Sequence, residues 1–444
     1  MRSTASPVMI DDVEINRFHQ LLTLRTGLGW VMVGYILSII GVATLPMSAA
    51  LQLGGFWQGM VAAMALLGVF AGGFFGGWLT DRMGRQTLFF VAPAIVLLSS
   101  IAMLWVQDPL ALSLLRLCCG LAVGIEYTAA GSLLTEFIPQ KSRGSRLSLL
   151  TVLWFVGAAL AYIAGNFMLA DAGPEQWRTV MASPAIIAGL LLLARLGTPE
   201  SPRWLLSKGR RQEAEQVIRQ VYGPEFSLRN ISDDSASGKA MSFLDALRAG
   251  YGKRIFFVVM FWACAVIPLF AVYAFVPKLF QALKLTGNLA AYGSMGITLI
   301  LVIGCCVATW LINYLGRRTI IIHSFLWSGL ALLGLGLFPD AQGWVVLSLF
   351  GAYALFIGGA QVLEFVYPNE LFPTEIRAFA VGMGASLAAF SSAIGTWLVP
   401  ISLEQFGIAN TMFAATAITM LGLAVSLVLA PETRSMSLQE AAAL

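Results

Sequence analysis

Charge is scarce in this chain. Asp, Glu, Lys and Arg make up 11% of its 444 residues, against about 25% in soluble domains. A soluble fold could not hide the 58% that is apolar, because even large folds leave much of their surface facing water. Histidine occurs only as His19 and His323, and the five cysteines (Cys118, Cys119, Cys264, Cys305 and Cys306) all fall in apolar stretches. That leaves no His/Cys metal cluster. Adjacent cysteines are poorly placed for disulfides, so these are expected to be small packing residues. There is no Walker lysine loop and no acidic cluster of nuclease or polymerase type, which removes ATP-driven and soluble-enzyme functions and leaves no expected cofactor. The apolar runs do not alternate with polar residues, which argues against a β-barrel.

What is present is apolar length. A spanning helix needs about 20 mostly apolar residues. Twelve such stretches lie near 24–46, 56–79, 87–106, 109–137, 146–169, 177–196, 254–280, 289–312, 319–338, 342–369, 378–402 and 408–430. Asp11, Asp12 and Glu14 precede the first of them, and that run is span-length, so a cleaved signal is not expected. With both termini in the cytoplasm, 23 of the 27 Lys and Arg fall on the inner side, leaving Arg116, Arg178, Lys278 and Lys284. The positive-inside bias therefore predicts cytoplasmic termini in a bacterial-type inner membrane. The net charge of +4 then belongs to an inner-leaflet surface and not to a nucleic-acid partner.

One long polar segment, 197–253, divides six spans from six. It contains a helical-looking run, SKGRRQEAEQVIRQVYG, and a polar SDDSASGKA. This predicts an all-α membrane protein of two pseudo-symmetric six-helix bundles, 1–196 and 254–430, with a cytoplasmic linker and a tail at 431–444. A charged turn recurs at the same place in each half: GGWLTDRMGRQ at 76–86 and WLINYLGRRT at 310–319, with Gly84 and Gly316 lying 232 residues apart. A parallel six-plus-six repeat is a transporter pattern.

Five stretches carry a resemblance to the major facilitator superfamily. GGWLTDRMGR resembles its Gly-x-x-x-Asp-Arg-x-Gly-Arg loop. RLCCGLAVGIEYTAAGSLLTEFIP resembles its span 4, and TPESPRWLLSKGR the signature after span 6. YPNELFPTEIRAFAVG resembles the 10–11 loop and PETRSMSLQE the tail after span 12. The last three are shared by sugar porters and by related organic-ion carriers. The resemblance implies alternating access, with Asp81, Arg82, Arg85, Glu136, Glu200, Arg203, Arg317, Arg318, Glu370, Arg377 and Glu432 forming a cytoplasmic charge network that braces the halves in one state. Gly77 and Gly84 are expected to turn the chain tightly. Asn313 stands where the motif usually has Asp, which weakens the second copy.

Buried charge points to function, because it is costly in a membrane unless paired or hydrated. Three ionisable groups look deep: Arg116 and Glu126 in span 4 and Glu364 in span 10. Arg116 and Tyr127 share a helical face and could hold a carboxylate; a structural Arg bound to a carbonyl is the alternative. Proton-coupled relatives carry Asp in span 1. Here that span reads GLGWVMVGYILSII, with Val33 and Ile36 in those places, so coupling moves to Glu126 (preferred) or Glu364, or the protein is a facilitator. Sugar porters carry a Gln-Gln pair in span 7, whereas this span offers Tyr273 and no amide. Tyr35, Tyr127, Tyr273, Tyr353 and Trp397, with Gln361, Ser391 and Ser392, suit a planar substrate. The expected substrate is therefore a small organic acid, an aromatic monocarboxylate such as nicotinate or benzoate, carried by a monomer with or without proton symport. A sugar or polyol porter and an organic cation carrier are the alternatives. A receptor on the same frame is disfavoured, because the linker of about 55 residues is short and has no recognisable signalling domain.

Overall fold

The computed structural model describes residues 9–170, 173, 175–231, 248, 250–285, 288–372 and 374–434. Among them there are helices and no strands. The first half comprises α1 (Arg17–Ala50), α2 (Gly55–Met83), α3 (Arg85–Ala102), α4 (Pro109–Phe137), α5 (Gln140–Leu169), α6 (Gln176–Ala182) and α7 (Pro184–Arg195). Ser183 separates α6 from α7, which together make one span. Two short helices follow, α8 (Pro202–Ser207) and α9 (Arg211–Tyr222). The second half comprises α10 (Gly252–Ala282), α11 (Asn288–Leu315), α12 (Arg317–Leu337), α13 (Gly343–Leu371) and α14 (Thr374–Leu429).

The start signals are local. Asn16 accepts from the His19 N–H at 3.0 Å and the His19 ring accepts from the Asn16 N–H at 3.1 Å, closing a capping box on α1. Asp108 accepts from Ala111 N–H at 2.9 Å, and Pro109 takes the first turn of α4, where a missing donor costs nothing.

The long helix α14 is two crossings. Gly407 breaks it with φ 77°, a conformation that favours glycine. The Ser402 and Thr411 hydroxyls, nine residues apart, hydrogen bond at 2.8 Å, whereas an unbroken helix would put about 13 Å between them. The chain therefore reverses, and the eleven span-length runs among the described residues become twelve crossings.

Within the halves α2 packs on α4, α1 on α5, α10 on α14, and α13 on α11 and α12; the halves meet along α2–α14, α1–α10 and α5–α11. All five cysteines are free. Gly84 turns the chain with φ 104° and Gly316 with φ 86°; Gly77 is an ordinary helical residue with open space beside it, so the turn needs only one glycine.

Candidate functional site

The two charged turns are built alike. In the first half, Glu200 accepts from the Arg85 and Gln86 N–H groups at 3.1 Å each and so caps the bare start of α3. Glu432 does the same for Arg317 and Arg318, at 3.0 and 3.1 Å, at the start of α12. Arg85 reaches Glu136 at 3.1 Å and Asp81 at 2.9 Å, and Arg317 reaches Glu370 at 2.6 Å. Each carboxylate sits at a helix N-terminus or beside an Arg, where the dipole and the charge both favour it. Burial pushes the Glu200 carboxyl up, opposed by the N–H groups of Ser201, Gln86 and Arg85 and by the Arg85 charge.

The brace expected between the halves in one state is not formed in this one. These ion pairs stay within their own half. Arg82 makes no ion pair among the described residues and stacks on Trp78, 5.2 Å from the ring centroid. Arg318 Nη2 donates to the Leu427 carbonyl at 2.9 Å. Arg203 pairs with Asp11 at 2.6 Å, as does Arg143 at 2.9 Å; Asp11 had no assigned part because nothing in its local sequence marks a long-range partner. The side chains of Arg377 and Asn313 lie outside the described residues.

The halves are joined instead at the far face, opposite the charged turns. Pro277 inside α10 has no N–H, which leaves the Tyr273 carbonyl without its helical donor. The chain breaks at Phe275 (φ −129°). Tyr162 Oη, from α5 of the other half, donates to that freed carbonyl. Thr44 of α1 lies 3.3 Å from the neighbouring Ala274 carbonyl. Lys278 Nζ donates to Gln58 at 2.6 Å and lies 3.4 Å from Glu404, which accepts from the Gly55 N–H at 3.1 Å. Helix α2 thus begins against an anion from the other half.

Deeper in, the groups assigned from the sequence separate into two sets. Those of the first half are mostly engaged. Arg116, 2% exposed, donates through Nη1 to the Ile36 carbonyl at 2.9 Å. Tyr35 shares a hydrogen bond with Ser183 at 2.8 Å, and Tyr127 accepts from the Trp154 indole at 2.8 Å. Glu126 is paired with Arg195; both side chains are 0% exposed, with Nη1–Oε2 at 2.9 Å. Arg195 also donates to the Phe89 carbonyl and lies 3.5 Å from the Phe89 ring centroid. Arg195 is therefore a fourth deep charge, and its pairing speaks against the preference for Glu126 as the proton carrier.

The groups assigned from the sequence in the second half are mostly unsatisfied, although unpartnered polar atoms also occur in the first half, among them Thr26 Oγ1, Ser48 Oγ, Ser100 Oγ and Trp177 Nε1. Tyr273 Oη, Tyr353 Oη, Gln361 Nε2, Ser392 Oγ, Thr396 Oγ1 and Trp397 Nε1 are buried with no hydrogen-bond partner. They come from α10, α13 and α14. Tyr353 is within electrostatic reach of Tyr273. An apolar groove of about 390 Å³ lies elsewhere, between α10 and both limbs of α14, and contains none of these six.

The sequence profile described as Sugar (and other) transporter matches residues 29–444. The chain belongs to this family. It is 37% identical to the putative metabolite transport protein YaaU of Escherichia coli K12, over 97% of this chain and 96% of that protein. It is 25% identical to an arabinose-proton symporter of Bacillus subtilis, over 97% and 96%. Among solved structures, the partially occluded inward-open xylose transporter XylE of E. coli superposes with a TM-score of 0.81 at 20% identity, over 95% of this chain and 100% of that one. The protein is thus a multi-pass membrane transporter of the sugar-porter type, not an enzyme.

In this transporter the far-face joint is open to test. Tyr162→Phe leaves the Tyr273 carbonyl buried without a donor, at about 1–3 kcal/mol. We expect it to favour the far-open state by about 5- to 150-fold. Spin labels at Gln52 and Gln281, on exposed ends of the two halves, should then gain a longer-distance population. An unchanged distance distribution would show that the hydroxyl does not hold the joint.

Proposed function

We propose that the protein carries a small polyhydroxylated metabolite, a sugar or polyol, by alternating access, with both termini in the cytoplasm. The observation that supports this is the set of six unpartnered polar atoms on α10, α13 and α14. Buried polar groups are normally hydrogen-bonded, and a site that leaves several unmet is suited to a ligand that brings its own donors and acceptors. Five of the six residues have both an apolar body and a polar tip or carry a hydroxyl, which suits a ring with alternating C–H and O–H faces. The names of relatives point the same way: an arabinose-proton symporter and a major myo-inositol transporter.

The aromatic-acid reading loses its main support. It needed Arg116 as the anchor for a carboxylate, and that guanidinium is turned to the Ile36 carbonyl. It also rested on span 7 offering no amide, and Gln361 of α13, counted there toward a planar substrate, serves a polyol equally. The test is a thermal-shift screen of the purified protein against arabinose, xylose, glucose, myo-inositol, nicotinate and benzoate. Ligand at about 100 times its Kd adds about 2.7 kcal/mol to apparent stability. We expect a rise in melting temperature with at least one of the sugars or inositol and none with the acids. A response confined to nicotinate or benzoate would refute the proposal and restore the acid.

A further inference from the structure

Arg116, Glu126, Arg195 and Glu364 are the buried Arg and Glu side chains among the described residues. Three are accounted for: Glu126 and Arg195 pair with each other, and Arg116 binds a carbonyl. Glu364 is different. It is 6% exposed, and its Oε1 has no partner. The Trp262 indole from α10 and the Gln361 amide, three residues earlier on α13, are its polar neighbours. The titratable groups within electrostatic reach are the Tyr127 phenol from α4 and the Cys305 thiol from α11. Neither is a cation, and among the described residues no Lys, Arg or His acts on it.

We propose that Glu364 is the proton-binding site that couples this carrier to a proton gradient. The proposal rests on the sugar or polyol reading for its substrate but not for its protonation. A carboxylate buried with no cation beside it and one oxygen unpartnered costs several kcal/mol, whereas the neutral acid keeps one donor and one acceptor and costs far less. The arrangement seen here, with Glu364 buried, therefore favours the protonated carboxyl. When the site opens to water the carboxyl can ionise, the O–H bond breaking and the proton passing to water on that side. Reprotonation from the other side reverses the step, so no further reactant is needed.

Gln361 links this step to the substrate. Its amide is within interaction range of the Glu364 carboxyl, and its Nε2 completes no hydrogen bond of full geometry. An ionised Glu364 draws that amide as a charge-assisted hydrogen bond. A protonated Glu364 releases it to a substrate hydroxyl. Proton and substrate then favour each other's binding, and by linkage the effect is reciprocal. A span 1 without acids is consistent with a carrier that keeps its coupling group in the second half.

The experiment uses the full chain in proteoliposomes, wild type and Glu364→Gln, with radiolabelled arabinose, xylose, glucose and myo-inositol as probes. A pH difference of one unit should let the wild type accumulate its substrate up to about tenfold for one proton. Glu364→Gln, which mimics the neutral acid, should show counterflow that no longer depends on pH and an accumulation ratio of one. Accumulation by Glu364→Gln equal to wild type overturns the proposal. Infrared difference spectra of the reconstituted protein, recorded between pH 5 and pH 9 without any sugar, provide the second readout. A carboxylic acid band that titrates in the wild type and is absent from Glu364→Gln supports the assignment, and a band that persists in the variant overturns it. If the wild type moves none of the probes, the substrate reading fails, while the infrared result still decides on Glu364.

Discussion

Arg195→Ala is expected to lose most of its folded protein. The substitution strands the Glu126 carboxylate at 0% exposure and removes the donor to the Phe89 carbonyl. Breaking a buried pair by deleting one partner costs about 3–5 kcal/mol, a large share of the stability of most proteins. Glu126→Ala should cost as much for the mirror reason. The informative variant is the double one: Glu126→Leu with Arg195→Met removes both charges and should recover much of the loss, because apolar residues of similar volume replace a buried pair at little cost. Melting followed by size-exclusion in detergent reads all four proteins. Single variants that melt like wild type would mean that the pair is not closed. The same pair fixes Gly29 of α1, where a Cβ would collide with the Glu126 carboxylate and the Arg195 guanidinium; Gly29→Ala should therefore destabilise without touching any charge.

Gln361→Leu should be the most damaging change in the proposed substrate site that leaves the fold intact. The amide is 4% exposed and unpartnered, so the apo protein has little to lose from its removal and the bound substrate has much. A missing partner for a buried hydroxyl costs about 1–3 kcal/mol, which raises KM about 5- to 150-fold. Trp397→Phe removes one N–H and keeps an aromatic ring, so a smaller rise is expected. Initial uptake rates against substrate concentration, with melting temperatures as the control, check both. A raised KM with an unchanged melting point is the expected pattern; an unchanged KM for Gln361→Leu would remove the amide from the site.

The membrane demand for long apolar segments made the spans readable. Each crossing needs its own run, so twelve runs and one polar divider could be found without knowing a single contact. The repeated turn was equally legible, since Gly84 and Gly316, each followed by Arg, stand 232 residues apart. Arg195 escaped because it closes α7 just before the linker. There an Arg can extend to the membrane surface or turn inward with equal local sense, and only the position of Glu126 on a helix 69 residues away decides. Asp11 escaped for the same reason: its two partners, Arg143 and Arg203, lie 132 and 192 residues along the chain. Arg116 was seen as deep, but its direction, toward Ile36 and not toward a ligand, depends on how α1 lies across α4.

The sequence by itself determined the solvent, the number of crossings, the two-fold repeat and the residues at each turn, because hydrophobic length and local turn chemistry act over one helix or less. The tertiary structure decided which buried charges are paired and which are left over. It also decided which group of the opposite half takes the carbonyl that Pro277 frees, and which of the assigned polar atoms are left without partners. Those are properties of pairs of helices: a side chain's partner is set by the rotation and depth of both, and burial turns each match or mismatch into a difference of kilocalories that no single stretch of sequence contains.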